Sequence, residues 1–205
     1  MIRDARKHLL HPVVIVAALG YFVDIYDLLL FSIVRIPSLK DLGLEGDALL
    51  NDGLSLLNYQ MFGMLIGGIL WGVLGDKKGR ISVLFGSILL YSLANIANGF
   101  VQTIEQYKIL RFIAGVGLAG ELGAGITLVC EILPKNIRGL GTAFVAGIGI
   151  FGACFAGLLA EIFPWRICYF IGGGLGLCLL FLRVGIVESG MFSTPVSYTH
   201  LTLPT

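Results

Sequence analysis

Four ionisable side chains stand inside long apolar runs of this sequence: Asp24 and Asp27 in the first run, Arg111 and Glu121 in the fourth. A charge at the middle of a bilayer costs at least ~2.5 kcal/mol on insertion scales, so one that is kept there usually marks a site. Three residues of separation places Asp24 and Asp27 on one face of a helix, addressing the same interior surface. With a rise of ~1.5 Å per residue and opposite directions for the two runs, Asp24 falls near the middle and Asp27 in the outer half. Arg111 then lies in the outer half as well, with Glu121 near or just below the middle. An ion pair between Asp27 and Arg111 would neutralise two costly charges together. Asp24 and Glu121 are then left as groups able to take up and release protons, and Arg111 either pairs with Asp27 or meets an anionic substrate.

The elements that position these residues are legible from composition. Of 205 residues, 57% are apolar and only 13% charged, against about 25% charged in soluble domains. Six runs approach the ~20 residues that a helix needs to cross a hydrocarbon core of ~30 Å. They extend from Pro12 to Val34, Leu54 to Leu74, Ile81 to Phe100, Ile109 to Leu133, Gly139 to Phe163 and Ile167 to Val187. The expectation is an all-α polytopic membrane protein with six transmembrane helices and the lipid bilayer as its first partner. A formal net charge of +1 gives no reason to expect a nucleic-acid partner. A cleavable signal peptide is not expected, since the first run is too long and carries two aspartates.

Lysine and arginine counts orient the spans, because basic residues resist translocation. One side holds Arg3, Arg6, Lys7, Lys77, Lys78, Arg80, Lys135, Arg138 and Arg183; the other holds Arg35, Lys40, Lys108 and Arg166 among several acids. The first side is read as cytoplasmic, and the polar stretch from Arg35 to Gly53 as an external loop. Tyr107 and Trp165 fall at outer span ends, where aromatic rings suit the interface. Glu131 and Glu161 are read as interfacial, and Asn58, Gln60, Asn95 and Asn98 as hydrogen-bonding glue between helices.

Several patterns point away from other chemistry. Cys130, Cys154, Cys168 and Cys178 lie in or beside apolar runs at no metal-ligand spacing, which suggests packed thiols and no metal site. Gly115-Val116-Gly117-Leu118-Ala119-Gly120 fits the GxGxxG pattern of dinucleotide folds, yet no strand precedes it and its acidic residue, Glu121, follows at once. The glycines are read as close-packing positions, as are Gly63 with Gly67, Gly68 with Gly72, and Gly147, Gly149, Gly152 and Gly157. No cofactor and no catalytic residue are indicated, so the chain is not read as an enzyme. Val196 to Thr205 suit neither a loop nor a helix, and one back-translation of them resembles a transposase adapter used in sequencing libraries. Residues 195–205 are therefore read as a non-native tail, with the natural chain continuing beyond.

A family resemblance enters with the turn between the second and third runs. Gly72-Val73-Leu74-Gly75-Asp76-Lys77-Lys78-Gly79-Arg80 resembles the signature turn of the major facilitator superfamily, G-x-L-A/G-D-R/K-x-G-R. Arg111-Phe112 before the glycine-rich fourth span agrees with it. So does Glu131-x-x-Pro134-x-x-x-Arg138-Gly139 in the next cytoplasmic turn, which is similar to a motif of sugar and organic-acid porters with one extra residue. Glu188-Ser189-Gly190-Met191-Phe192 looks like the end of a six-span half. Asp24-Ile25-Tyr26-Asp27, with Arg111 and Gly120-Glu121, is similar to proton symporters of organic and aromatic acids, although Ala114-Gly115 stands where that branch commonly has Gln-Gly. The absence of proline between Gly147 and Gly157 argues against the drug-exporting branch.

The resemblance implies that residues 1–194 form the N-terminal six-helix half of a twelve-span transporter in the plasma (inner) membrane, with a C-terminal half missing from this chain. It implies proton-coupled uptake of a small metabolite such as an organic or aromatic acid or a sugar, by alternating access about a site near mid-membrane. Asp24, Asp27, Arg111 and Glu121 would carry substrate and proton coupling. Gly72, Asp76, Gly79 and Arg80 would form a conformational latch, the aspartate meeting a helix N-terminus of the other half. The contrasting reading is a non-transporting membrane subunit or sensor that needs a partner half.

Overall fold

The computed structural model describes residues 11–188, which form six α-helices and, among the described residues, no strand. They are α1 (Pro12–Asp41), α2 (Gly46–Lys78), α3 (Arg80–Asn98), α4 (Ile104–Ile132), α5 (Arg138–Ile162) and α6 (Trp165–Glu188). Each coincides with one of the six apolar runs. Four of the helices are long and apolar enough to cross a membrane, and α3 adds a shorter apolar stretch, Ser82–Asn98. The N-terminal basic cluster, the end motif from Ser189 and the segment 195–205 lie outside the described residues.

The expected external loop is largely helical instead. Arg35–Asp41 continues α1 past Pro37, and Gly46–Gly53 opens α2, so only residues 42–45 link the two. Pro37 has no N–H to offer the Ile33 carbonyl, yet the helix continues beyond it to Asp41. Apolar burial holds the extension in place: Leu39 is fully buried, and Leu42, Leu44 and Leu49 pack on the same cluster. Lys40, Asp41, Glu45 and Asp47 of this stretch are exposed, which is why composition alone reads as loop.

Local signals set the other boundaries. Thr103 caps α4 by accepting from the Gln106 backbone N–H at 3.3 Å, while the Gln106 side chain accepts from the Gln102 N–H at 3.1 Å. Arg138 reaches back from the start of α5, its Nε donating to the Leu133 carbonyl at 3.0 Å, and so satisfies the end of α4. Gly79, the single residue between α2 and α3, has φ 85° and ψ 152°, a conformation open essentially to glycine alone. That constraint gives Gly79 a backbone reason to be glycine whatever else the turn does.

Helix pairing explains the glycines. α2 packs on α4 so closely that a Cβ on Gly63 would strike the Phe112 carbonyl, one on Gly67 the Val116 backbone, and one on Gly115 the Gln60 carbonyl. Gly117 and Gly120 likewise admit α3 through Tyr91 and Ser87, so the GxGxxG run is a packing surface. On α5, Gly149 and Gly152 admit Tyr21 and the Phe22 carbonyl of α1. Gly68, Gly72, Gly147 and Gly157 do not share this role, because each faces open space. They lie on helix faces turned away from the neighbours, a distinction that glycine spacing does not carry. With α4 against α1, α2 and α3, and α1 against α5 and α6, the two helices bearing Asp24, Asp27, Arg111 and Glu121 are the most enclosed.

Candidate functional site

Among the described residues, the interior between α1, α3, α4 and α6 holds five fully or nearly buried charged groups: Asp24, Asp27, Arg111, Glu121 and Arg183. Three carboxylates face two guanidiniums, so full ionisation leaves one negative charge over. The groups divide into two centres.

The first surrounds Arg111. Its Nη2 lies 3.6 Å from Asp27 Oδ2 and donates to Asn95 Oδ1 at 3.3 Å, while Nη1 donates to the Tyr169 hydroxyl at 3.3 Å. The guanidinium plane also sits over two rings, 4.9 Å from the Phe31 centroid and 5.3 Å from that of Tyr169. The Asp27 to Arg111 pair expected from depth is thus present. Asn95, expected as interhelical glue, is part of the charged centre. From Tyr169 a hydroxyl chain continues to Tyr107 at 2.7 Å and on to Ser38 at 3.3 Å, whose hydroxyl donates to the Arg35 carbonyl. Tyr107 and Trp165, expected at outer span ends, are buried in an aromatic cluster with Phe31 and Tyr169.

The second centre lies towards the other end. Glu121 is gripped by both terminal nitrogens of Arg183, Nη1 donating to Oε2 at 2.8 Å and Nη2 to Oε1. The sequence reading leaves Glu121 unpaired and places Arg183 among the cytoplasmic charges at a helix end; the fold instead buries Arg183 in a fork-to-fork pair. Asp24, 1% exposed, has no cation of its own among the described residues. The charges that act on it are those of Glu121, Arg183 and Asp27.

Around these centres polar atoms lack protein partners to an unusual degree. Both Asp27 oxygens, Asp24 Oδ1, Arg111 Nε, Asn95 Nδ2, Tyr91 Oη and Ser92 Oγ are buried without a hydrogen bond. Native interiors leave few such atoms, and a concentration of them calls for an explanation.

The remaining sequence-singled residues lie apart. Gly72 and Asp76 are exposed at the α2–α3 turn, and among the described residues Asp76 meets no cation; the side chain of Arg80 lies outside the described set. Pro134 is exposed between α4 and α5, Arg138 caps α4, and the Glu131 side chain also lies outside the described set. Glu161 is exposed, Asn58 is exposed, and Asn98 bonds its own helix at Ala94. All four cysteines are free thiols.

Known proteins share this fold. The chain matches the Major Facilitator Superfamily over residues 13–194. It is 34% identical over 181 residues to a Haemophilus influenzae protein described as a metabolite transport protein, covering 86% of this chain and 44% of that one. It is 31% identical over 199 residues to the benzoate transport protein of Acinetobacter baylyi, covering 92% of this chain and 42% of the relative. Among solved structures, the proton:xylose symporter XylE bound to 6-bromo-6-deoxy-D-glucose superposes with a TM-score of 0.76 at 19% identity, over 90% of this chain and 47% of XylE. This chain therefore spans about half the length of the relatives it matches. On the extent of these matches, and on six helices of which four are long and apolar enough to cross a membrane, the chain belongs to the major facilitator superfamily.

Proposed function

We propose that residues 1–194 form the N-terminal half of a proton-coupled importer of a small organic acid, working by alternating access with a second six-helix half. The observation that carries this reading is the buried cluster itself, three carboxylates against two guanidiniums ringed by polar atoms without protein partners. Such a cluster is costly to keep in a membrane protein unless it is used. Three carboxylates on two cations leave room for one proton, and Asp24, which alone lacks a cation, is its natural seat. Arg111 is always charged and offers a planar fork suited to a carboxylate. A carboxylate substrate would compete with Asp27 for it, so substrate and proton would act on neighbouring groups. The likeness to a benzoate transport protein supports an aromatic or other organic acid, and that to a proton:xylose symporter supports proton coupling and keeps a sugar as the alternative.

In this reading the protein sits in the plasma membrane with its N-terminus in the cytoplasm, and Asp76 at the Gly79 turn latches one access state against the missing half. The decisive experiment reconstitutes the full-length protein containing this segment in liposomes and follows labelled benzoate, with labelled xylose in parallel, under an imposed pH gradient. Asp24→Asn should abolish proton-driven accumulation while leaving exchange down a concentration gradient. Accumulation by Asp24→Asn that remains sensitive to a protonophore overturns the coupling assignment. Equal failure of both probes in the unsubstituted protein, with the protein folded, favours the sensor or subunit reading.

A further inference from the structure

By sequence Arg183 is one basic residue near a helix end; in the fold it is 6% exposed and committed to Glu121. The pair rests directly on the backbone of α1 at Gly20, where a Cβ would collide with both Arg183 Nη2 and Glu121 Oε1. Gly20 and Asp24 are four residues apart, so they lie one above the other on the same helix face. The face of α1 that presents Asp24 is thus the face on which the Glu121–Arg183 pair is seated. We infer that Arg183 is a counter-ion shared by Glu121 and Asp24, drawn towards Asp24 when that residue loses its proton and back to Glu121 when it regains one. The inference rests on the proton-carrying role proposed above for Asp24.

The surrounding helices leave little choice of cation. From α1 itself Asp24 meets the charge of Asp27, from α4 that of Glu121 and from α6 that of Arg183. Tyr91 of α3 faces the same carboxylates. Neither α2 between Asp52 and Asp76 nor α5 between Arg138 and Glu161 carries a charged side chain. Arg111, the other buried cation, is already held by Asp27, Asn95 and Tyr169. When the Asp24 O–H bond breaks and the proton passes to water, the electron pair stays on the carboxylate, and one new negative charge appears beside Arg183. A guanidinium has five N–H donors, of which Glu121 engages two, so donors remain for a second carboxylate. Sharing would slacken the α4–α6 tie and form an α1–α6 tie, which turns a proton transfer into a change of helix contacts. Arg183 in this account is a positioning residue, acting through Asp24.

The test uses the full-length protein in lipid nanodiscs and infrared difference spectroscopy, with isotope-labelled aspartate separating Asp from Glu carbonyl bands. The unsubstituted protein should show a neutral-carboxyl band from aspartate that Asp24→Asn removes. Glu121→Gln, which leaves Arg183 only Asp24 to serve, should lose that band at the same pH, and the double variant Glu121→Gln/Arg183→Gln should regain it. A band that survives Glu121→Gln unchanged overturns the shared counter-ion and leaves the proton reading standing. An unsubstituted protein without any Asp24-dependent band overturns the proton reading first. Should Glu121→Gln fail to fold, Arg183→Lys reads the same exchange: a point charge cannot fork across two carboxylates, so proton-driven benzoate accumulation should fall at least tenfold with the protein folded. Full accumulation by Arg183→Lys overturns the inference.

Discussion

Arg111 uses its shape as well as its charge. Two nitrogens reach Asp27, Asn95 and Tyr169 while the plane lies over Phe31, an arrangement a lysine cannot reproduce with one compact ammonium. Removing one partner of a buried pair strands the other, at about 3–5 kcal/mol, whereas removing both can be nearly neutral. Asp27→Asn and Arg111→Gln should therefore each lower the unfolding temperature sharply in detergent, and the double variant should lose clearly less than the two single losses together. Additive losses would mean that the 3.6 Å approach contributes no coupling. The two ionic centres differ in how far the sequence discloses them. Asp27 and Arg111 stand deep in apolar runs, so depth alone pairs them. Arg183 stands near the end of its run, where a basic residue ordinarily anchors at the interface. Parallel counting could have found it: Glu121 lies ten residues beyond Arg111 on α4 and Arg183 fourteen beyond Tyr169 on α6, roughly 15 and 21 Å at helical rise, a gap an arginine side chain spans.

The helices are organised by where their backbones touch. At Gly63 and Gly67 α2 has no room for a side chain against α4, while Gly68, one residue on and about 100° around the helix, faces open space. Gly63→Val should thus overpack the interface, cost about 1–3 kcal/mol and lower the unfolding temperature. Gly68→Ala should leave it unchanged or raise it slightly, since alanine is the better helix former by about 1 kcal/mol. Similar losses at both positions would show that α2 and α4 do not meet on the Gly63 face. The positions of the helices are plain in the sequence because hydrophobic length is a bulk property. Which glycine faces a neighbour depends on rotation about the axis, and α2 is apolar nearly all round. The link from Arg35 to Gly53 misleads for the same reason: its charges turn outward in helices that Leu39 and its neighbours hold in the core.

At the scale of the whole molecule, charge is distributed differently at the two ends of the bundle. At the end carrying the α1–α2 link two of the four basic residues are paired, Lys108 with Asp52 at 2.7 Å and Arg166 with Asp41 at 3.4 Å, with Trp165 also donating to Asp41. At the other end Lys77 and Lys78 close α2 and Lys135 stands in the α4–α5 turn, all three exposed. Unpaired lysines in short turns resist translocation, so this second end should be cytoplasmic. In the proposed proton-coupled mechanism the orientation decides which ionic centre a proton would reach first: from outside, the Arg111 centre with its hydroxyl chain through Tyr107 to Ser38; from inside, Glu121 and Arg183. It can be read with single cysteines placed in a background whose four native cysteines are replaced by serine. A Glu45→Cys variant should react with a membrane-impermeant maleimide in intact cells, and Lys77→Cys only after the cells are opened. The reverse labelling would invert the bundle, and protons from outside would then reach Asp24 by way of the Glu121–Arg183 pair.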